Sequence, residues 1–263
     1  MGIRALEQAE WLIADELAPS ELALRRRLLN EQRDLVFACC ESAEGAAGET
    51  AALIDDWLRA RGQSVEPHDE THPLVRAGLA VQEDLCLMVR RQGAWHLDGA
   101  ILCFPSMWSL RDKLELPMAR VHGPVDHYAE ELSSKADTFL DRLIPGRLVT
   151  RRNLSLWPCC LLFVPTLKLD ASLWDPVPPS GLPRLWLRSE RQTLRRLPGS
   201  GAILFTIKVQ MVHLSALGHR PDLAATLAAW LRGPGGESRR QQLGQLLGPD
   251  LAWLDGVAAS ASA

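Results

Sequence analysis

The 263-residue chain carries 29 Lys and Arg against 32 Asp and Glu, a formal charge of −3 with neutral histidines, which excludes a nucleic-acid binder held mainly by a basic surface. Hydrophobic residues at 47% and charged residues at 23% match ordinary globular usage and exclude a largely disordered chain. By size alone, one large domain with helical additions and two compact domains are equally allowed.

Met1 to Ala14 holds Arg4, Glu7 and Glu10 and lacks an apolar h-region, so no secretory signal is expected. Pro105, Lys208 and their like interrupt every apolar run before the ~20 residues of a membrane span. These features predict a soluble, cytoplasmic protein that meets neither membrane nor nucleic acid. From Gln8 to about Arg61 apolar residues recur at helical spacing, as in Leu53, Ile54, Trp57 and Leu58, with Thr50 placed as an N-cap. Between Asp84 and Phe104, short apolar runs flank Arg91-Gln92-Gly93, which predicts a hairpin of two strands.

Helical period returns from Asp126 to Leu143, with Tyr128, Leu132, Ala136, Phe139, Leu140 and Leu143 on one face. Strand-like runs follow at Leu154 to Trp157, Cys160 to Val164, Leu185 to Leu187 and Ala202 to Val209. Prolines 176, 178, 179 and 183 punctuate a loop, and Gly233-Pro234-Gly235-Gly236 forms another. Pro221 opens a last strong helix through Leu223, Leu227, Trp230 and Leu231, and the Ala/Ser tail from Ala258 is expected to fray. This order predicts an α+β fold, an antiparallel sheet covered by helices. Its organisation is a helical region over 1–78, a core over 79–212, and C-terminal helices over 213–263 packed on that core.

The six cysteines, Cys39-Cys40, Cys86, Cys103 and Cys159-Cys160, lack the C-x-x-C spacing of a metal knuckle and read as buried thiols. Trp95, Trp108, Trp157 and Trp186 read mostly as core. Dinucleotide and Walker glycine loops, a Gly-x-Ser-x-Gly elbow and His-Glu-x-x-His are all missing. His122 and His127 stand beside the stiff Gly123-Pro124 turn. Such a turn can hold an imidazole rigidly enough for a haem axial ligand, or can simply use it as a brace. The pair is spaced i,i+5, which does not lie on one helical face and speaks against a shared zinc. Arg188-Ser-Glu-Arg-Gln-Thr-Leu-Arg-Arg-Leu-Pro198 places four arginines in nine positions. These suit bidentate carboxylate binding, or else form a solvated basic face partly neutralised by Glu190. Arg151 and Arg152 pose the same question.

Four segments in order together resemble the haem-binding alpha subunit of the haem-dependent oxidative N-demethylases, a family with a PAS-like fold. They are Glu83-Asp84-Leu85-Cys86-Leu87; Phe104-Pro105-Ser106-Met107-Trp108 with Asp112-Lys113; Val121-His122-Gly123-Pro124-Val125; and Glu190-Arg191-Gln192-Thr193-Leu194-Arg195-Arg196-Leu197-Pro198. The resemblance runs over roughly residues 8 to 232. It implies a haem b held in a PAS-like pocket, with His122 on the iron and His127 as the alternative ligand. Arg152, Arg188 and Arg195 are implied as anionic contacts to propionates or beside the oxygen-binding face, and Lys113 as a further cofactor contact. The implied activity is oxygen-dependent oxidative N-demethylation of a small amine with release of formaldehyde. Dioxygen is the co-substrate, and electrons come from separate flavin and iron–sulfur reductase subunits. Glu190 or Asp126 would meet the amine, or else pair with neighbouring arginines. Arg152 and Glu190 are the catalytic candidates, and homo-oligomer formation is left open. Three positions depart from the family pattern: Asp126 after Val125, Leu154 after Arg152-Asn153, and Lys208-Val209-Gln210 after Ile207. The substrate therefore need not be dimethylamine. A non-catalytic haem- or ligand-binding PAS-like sensor or complex subunit is the competing reading, so enzymatic activity stays an open question.

Overall fold

The computed structural model describes residues 2–63, 69–121, 133–166, 171–176, 178–179 and 181–260. In chain order the elements are β1 (Arg4–Leu6), α1 (Ala18–Glu31), α2 (Arg33–Val36), β2 (Phe37–Cys39), α3 (Glu44–Arg59), α4 (Pro73–Ala80), β3 (Asp84–Arg91) and β4 (Ala94–Ile101). They continue with α5 (Leu110–Lys113), α6 (Met118–Val121), α7 (Ser133–Asp141), β5 (Leu148–Trp157), β6 (Trp186–Arg196), β7 (Ile203–His213), α8 (Pro221–Arg232), α9 (Glu237–Leu243) and α10 (Leu247–Ala259). The chain is α+β: among the described residues seven strands form one sheet in the order β1-β5-β6-β7-β3-β4-β2. Among the described residues no helix is long and apolar enough to cross a membrane.

Two compact units share this chain, Met1–Arg152 with Phe163–Leu167 and Arg191–Lys208 in the first, and Asn153–Leu162 with Lys168–Glu190 and Val209–Ala263 in the second. In the first unit β3 and β4 form the expected hairpin, paired from Arg91↔Ala94 to Leu85↔Ile101. Gln92 (φ 51°) and Gly93 (φ 79°) both take the left-handed conformation that a two-residue hairpin turn demands. β7 pairs antiparallel with β3 through Leu85↔Thr206 and Leu87↔Leu204, and β2 pairs with β4 through Phe37↔Ile101 and Cys39↔Gly99. Leu85, Leu87, Gly99, Ile101, Leu204 and Thr206 therefore project from one face. The α4 helix lies close against it: a Cβ on Gly78 would stand 2.6 Å from Ile101 Cδ1 and Cγ2. Pro73 and the His72 cap, whose Nδ1 accepts from the Leu74 amide at 3.2 Å, start that helix.

The second unit has an apolar cluster of its own, in which Leu227, Ala224, Ala228 and Leu231 of α8 pack with Leu156, Leu185, Leu214, Leu243, Leu247 and Leu254. Asp250 of α10 caps the entry to β6 by accepting from the Arg184 and Leu185 amides at 2.7 and 2.9 Å.

Several local expectations are corrected. The N-terminal stretch contains two three-residue strands, β1 and β2, besides its helices. Thr50 lies buried inside α3, which begins at Glu44. Cys160 to Val164 forms no strand; Val164 makes a single parallel bridge to Ser106. Helix α10 follows the helix read as the last and runs through Ala258 to Ala259. Of the long helix expected from Asp126, the described part is α7. Cys86, Cys103 and Cys159 are buried as read, whereas Cys39 and Cys40 are half-buried and Cys160 is exposed.

Candidate functional site

The arginine-rich run is a strand, β6, in which Arg188 and Arg191 are buried and Arg195 and Arg196 are half-buried. Arg188 is fully buried; its Nε lies 3.3 Å from Glu190 Oε1, its guanidinium stands 5.0 Å from the Trp157 ring centre, and Nη1 faces the Leu161 and Leu162 carbonyls at 3.4 Å. Further along the strand Arg191, also buried, donates to the Trp11 carbonyl at 2.9 Å and to that of Glu10. Arg195 rests its guanidinium 4.5 Å from the centre of the Trp11 ring, and its Nε is buried without a hydrogen-bond partner. Burial lowers its pKa. Arg196 donates to the Asp141 and Leu143 carbonyls at 3.2 and 3.4 Å. The reading as a solvated basic face is overturned, because each of these guanidinium groups finds carbonyl oxygens or an aromatic face within the fold.

Strand alternation explains how Arg191 and Arg195 share Trp11. Thr193 lies between them, and its hydroxyl is 2.6 Å from that of Thr206 on β7. The segment they hold, Glu10 to Asp15, is fastened further along its length. The Ile13 amide donates to Glu83 Oε1 at 2.9 Å, the Asp15 amide donates to Gln82 Oε1 at 2.8 Å, and Trp11 stands edge-on to Trp57 at 5.4 Å. Lys208 completes the anchor with Asp15 at 3.0 Å and Glu21 at 3.3 Å. Lys208 is thus a buried ion-pair partner of the N-terminal segment. Complete burial pushes the Glu83 carboxyl up to about 7, against the pull of the Ile13 amide and of Lys208 and Arg191.

The remaining candidates are dispersed. Lys113 sits 4.4 Å from the Trp108 ring centre, and burial lowers its pKa. Arg152 lines a cleft of about 210 Å³ together with Gly2, Arg4, Thr150, Arg151 and Arg191. His122, His127 and Asp126 lie outside the described residues. The structure therefore brings Arg188 to Glu190, and Arg152 to Arg191 across the cleft, while Lys113 and Arg195 each meet a tryptophan.

Sequence reasoning passed over one cluster. Cys39, Glu44 and His72 offer sulfur, oxygen and nitrogen atoms within 4.8 Å of one another, and among the described residues they form the one such group able to hold a metal ion. Its hydrogen bonds give it another use. His72 Nδ1 accepts from the Leu74 amide, which leaves the ring proton on Nε2, facing Glu44 at 3.4 Å. The Cys39 thiol is pushed up to about 12 by burial and by the Glu44 carboxylate. A cation would have to displace both protons. Residues 33 positions apart in the chain gave no motif to find.

A protein-family model described as haem-dependent oxidative N-demethylase, alpha subunit-like, matches residues 57–240. The matched stretch begins in α3, ends in α9 and contains β3 to β7 entire.

Proposed function

The chain belongs to the haem-dependent oxidative N-demethylase alpha-subunit-like family, and from that premise we propose that it binds haem b and takes part in the oxygen-dependent oxidative N-demethylation of a small amine. The observation that carries the reading is the extent of the match, which takes in β3 to β7. The topology supports a PAS-like core. A hairpin, β3-β4, is followed by helices α5 to α7 and then by β5, β6 and β7, the last returning to lie beside β3. An alpha subunit implies further subunits, and flavin and iron–sulfur reductase partners are the electron source proposed here.

The described residues fit a carboxylate-bearing cofactor at Arg195. Its buried Nε is without an acceptor, its other contact is the face of Trp11, and a propionate would supply the missing oxygen. In this proposal Arg195 would hold a propionate, and His122 would bind the iron, with His127 as the alternative. Lys113, stacked on Trp108, adds a cation drawn toward its neutral form by burial. Haem would supply dioxygen activation, and oxidation of an N-methyl group gives a carbinolamine that releases formaldehyde. Glu190, weighed as the carboxylate that meets the amine, is engaged by Arg188, and its proposed role is to hold that guanidinium in place.

The test is an absorption spectrum of protein expressed with haem supplied, oxidised and dithionite-reduced, beside the His122→Ala variant. The expected result is a Soret band that shifts on reduction in the parent and is lost or altered in the variant. A parent without a Soret band at any haem loading would overturn the haem reading. An unchanged variant spectrum would move the ligand to His127, and formaldehyde release with a reductase and a secondary methylamine would separate an enzyme from a sensor.

A further inference from the structure

We propose that Lys113 is a nucleophilic amine that condenses with a small aldehyde, a covalent site that needs no bound haem. Its construction begins in the loop that carries Trp108. The Met107 amide donates to the Val164 carbonyl at 2.9 Å, the Val164 amide donates to the Pro105 carbonyl at 3.3 Å, and Ser106 bridges Val164. Beyond the loop Leu110 of α5 is fully buried, and the chain after Lys113 is tied to β4. There the Glu115 amide donates to the Leu97 carbonyl at 2.7 Å, and the Leu97 amide donates to that of Leu116 at 3.2 Å. Trp108 and Lys113 therefore stand between two anchored points, with the Lys113 Nζ 4.4 Å from the ring centre.

Backbone conformation marks the same stretch. Among the described residues three non-glycine residues have positive φ. Gln92 is explained by its hairpin turn, and the other two, Met107 (φ 58°) and Glu115 (φ 61°), bracket Trp108 to Lys113. Conformations of that kind persist where the surroundings over-determine them, and they gather at functional sites. The amine they enclose is half-buried, and among the described residues no carboxylate stands within ion-pair distance of it. Burial lowers its pKa, and Asp112 opposes that through space. A lysine so placed differs from Lys208, whose ammonium is enclosed and engaged by Asp15 and Glu21.

An unpaired, partly desolvated lysine is the form in which this side chain serves as a carbonyl nucleophile. The nitrogen lone pair attacks the aldehyde carbon, the C–N bond forms as the C=O π bond breaks, and through water one proton passes from nitrogen to oxygen. Loss of water from this adduct leaves an imine, with no oxidant or reductant consumed. Once protonated the imine is again a cation, and the face of Trp108 favours it there. The same drift toward the neutral form that weakens Lys113 as a cofactor cation makes it a nucleophile. Formaldehyde is the aldehyde that the proposed demethylation releases, and the choice of this partner, though not the reactivity of the amine, rests on that reading.

Reductive methylation of the full chain tests the site, with limiting formaldehyde and cyanoborohydride near neutral pH and Nα-acetyl-lysine amide as the reference amine. Only four lysines stand against 25 arginines, so a peptide map by mass spectrometry resolves each amine. Lys113 is expected to methylate on the order of tenfold faster than the reference. Lys208, ion-paired on two sides, is expected to stay unmodified over the same interval. Lys113→Arg keeps a cation beside Trp108 and is expected to abolish the fast phase while its circular dichroism matches the parent's. Methylation of Lys113 at or below the reference rate would overturn the proposal whether or not the variant folds, and so would a fast phase that survives in folded Lys113→Arg. Because the formaldehyde is added and no haem is required, failure here leaves the demethylase reading standing, and a missing Soret band leaves this one standing.

Discussion

Replacing Glu83 with Gln should shift stability in the variant's favour by an amount that grows with pH. Glu83 is buried, its Oε1 accepts from the Ile13 amide at 2.9 Å, and its Oε2 has no hydrogen-bond partner. Burial raises its pKa from 4.5 to about 7. A carboxyl with a raised folded-state pKa favours folding while it is protonated in both states. That advantage is lost as pH climbs from the unfolded to the folded pKa, because the native state must then either retain a proton or bury a charge. One pKa unit corresponds to about 1.4 kcal/mol, so a rise from 4.5 to about 7 amounts to about 3 kcal/mol once both states are ionised. Glutamine keeps the acceptor for the Ile13 amide and does not titrate. Urea unfolding of parent and Glu83→Gln at pH 5, 6, 7 and 8 should show the variant's advantage increasing by about 2–3 kcal/mol across the series. A difference that stays flat, or shrinks with pH, would refute the reasoning and show that Lys208 and Arg191 hold Glu83 ionised.

The buried pair Arg25 and Asp84, at 2.9 Å with both side chains fully enclosed, gives a contrasting case. Asp84→Ala should cost about 3–5 kcal/mol, because it strands the Arg25 cation and removes the acceptor of the Cys103 and Phe104 amides. In an Arg25→Met background the same change should cost markedly less, and a double-mutant cycle with additive costs would sink that account. Gly78→Ala should lower the denaturation midpoint in spite of alanine's better helix propensity. The added Cβ would meet two Ile101 carbons at 2.6 Å, and overpacking of that kind costs about 1–3 kcal/mol against a propensity gain of about 1. Thermal unfolding of the variant decides the sign.

The elements legible in the sequence are those whose signal is local. The hairpin announced itself through Gln92-Gly93 between two apolar runs, and α8 through Pro221 and its leucine spacing. β1 and β2 were not legible, because three-residue strands are too short to show alternation and exist through their partners β5 and β4. Cys160 to Val164 misled in the opposite sense. Its apolar letters suit a strand, yet Pro158 and Pro165 bound it and it finds no ladder to join. Leu185 to Leu187 was read as a strand ending where the arginines begin, and β6 continues to Arg196. A charge in the sequence reads as solvent, whereas its actual surroundings come from segments distant in the chain. Arg191 is satisfied by carbonyls 180 and 181 positions away. The dispersal of the candidate site has the same origin, for no local pattern could say that Arg152 would meet Arg191.

This use of arginine separates β6 from an ordinary basic strand. Carbonyl oxygens and ring faces satisfy donors without cancelling charge, so Arg191, Arg195 and Arg196 keep their positive charge inside or at the edge of the fold. Lysine could not replace them on equal terms: one ammonium cannot span two carbonyls in a plane, as Arg191 does with Trp11 and Glu10. Arg191→Lys should therefore loosen the Glu10 to Asp15 segment although the charge is unchanged, and hydrogen exchange at the Ile13 and Asp15 amides should quicken. If exchange there matches the parent, the segment is held by Gln82, Glu83 and Lys208 alone, and the guanidinium is retained for its charge rather than its shape.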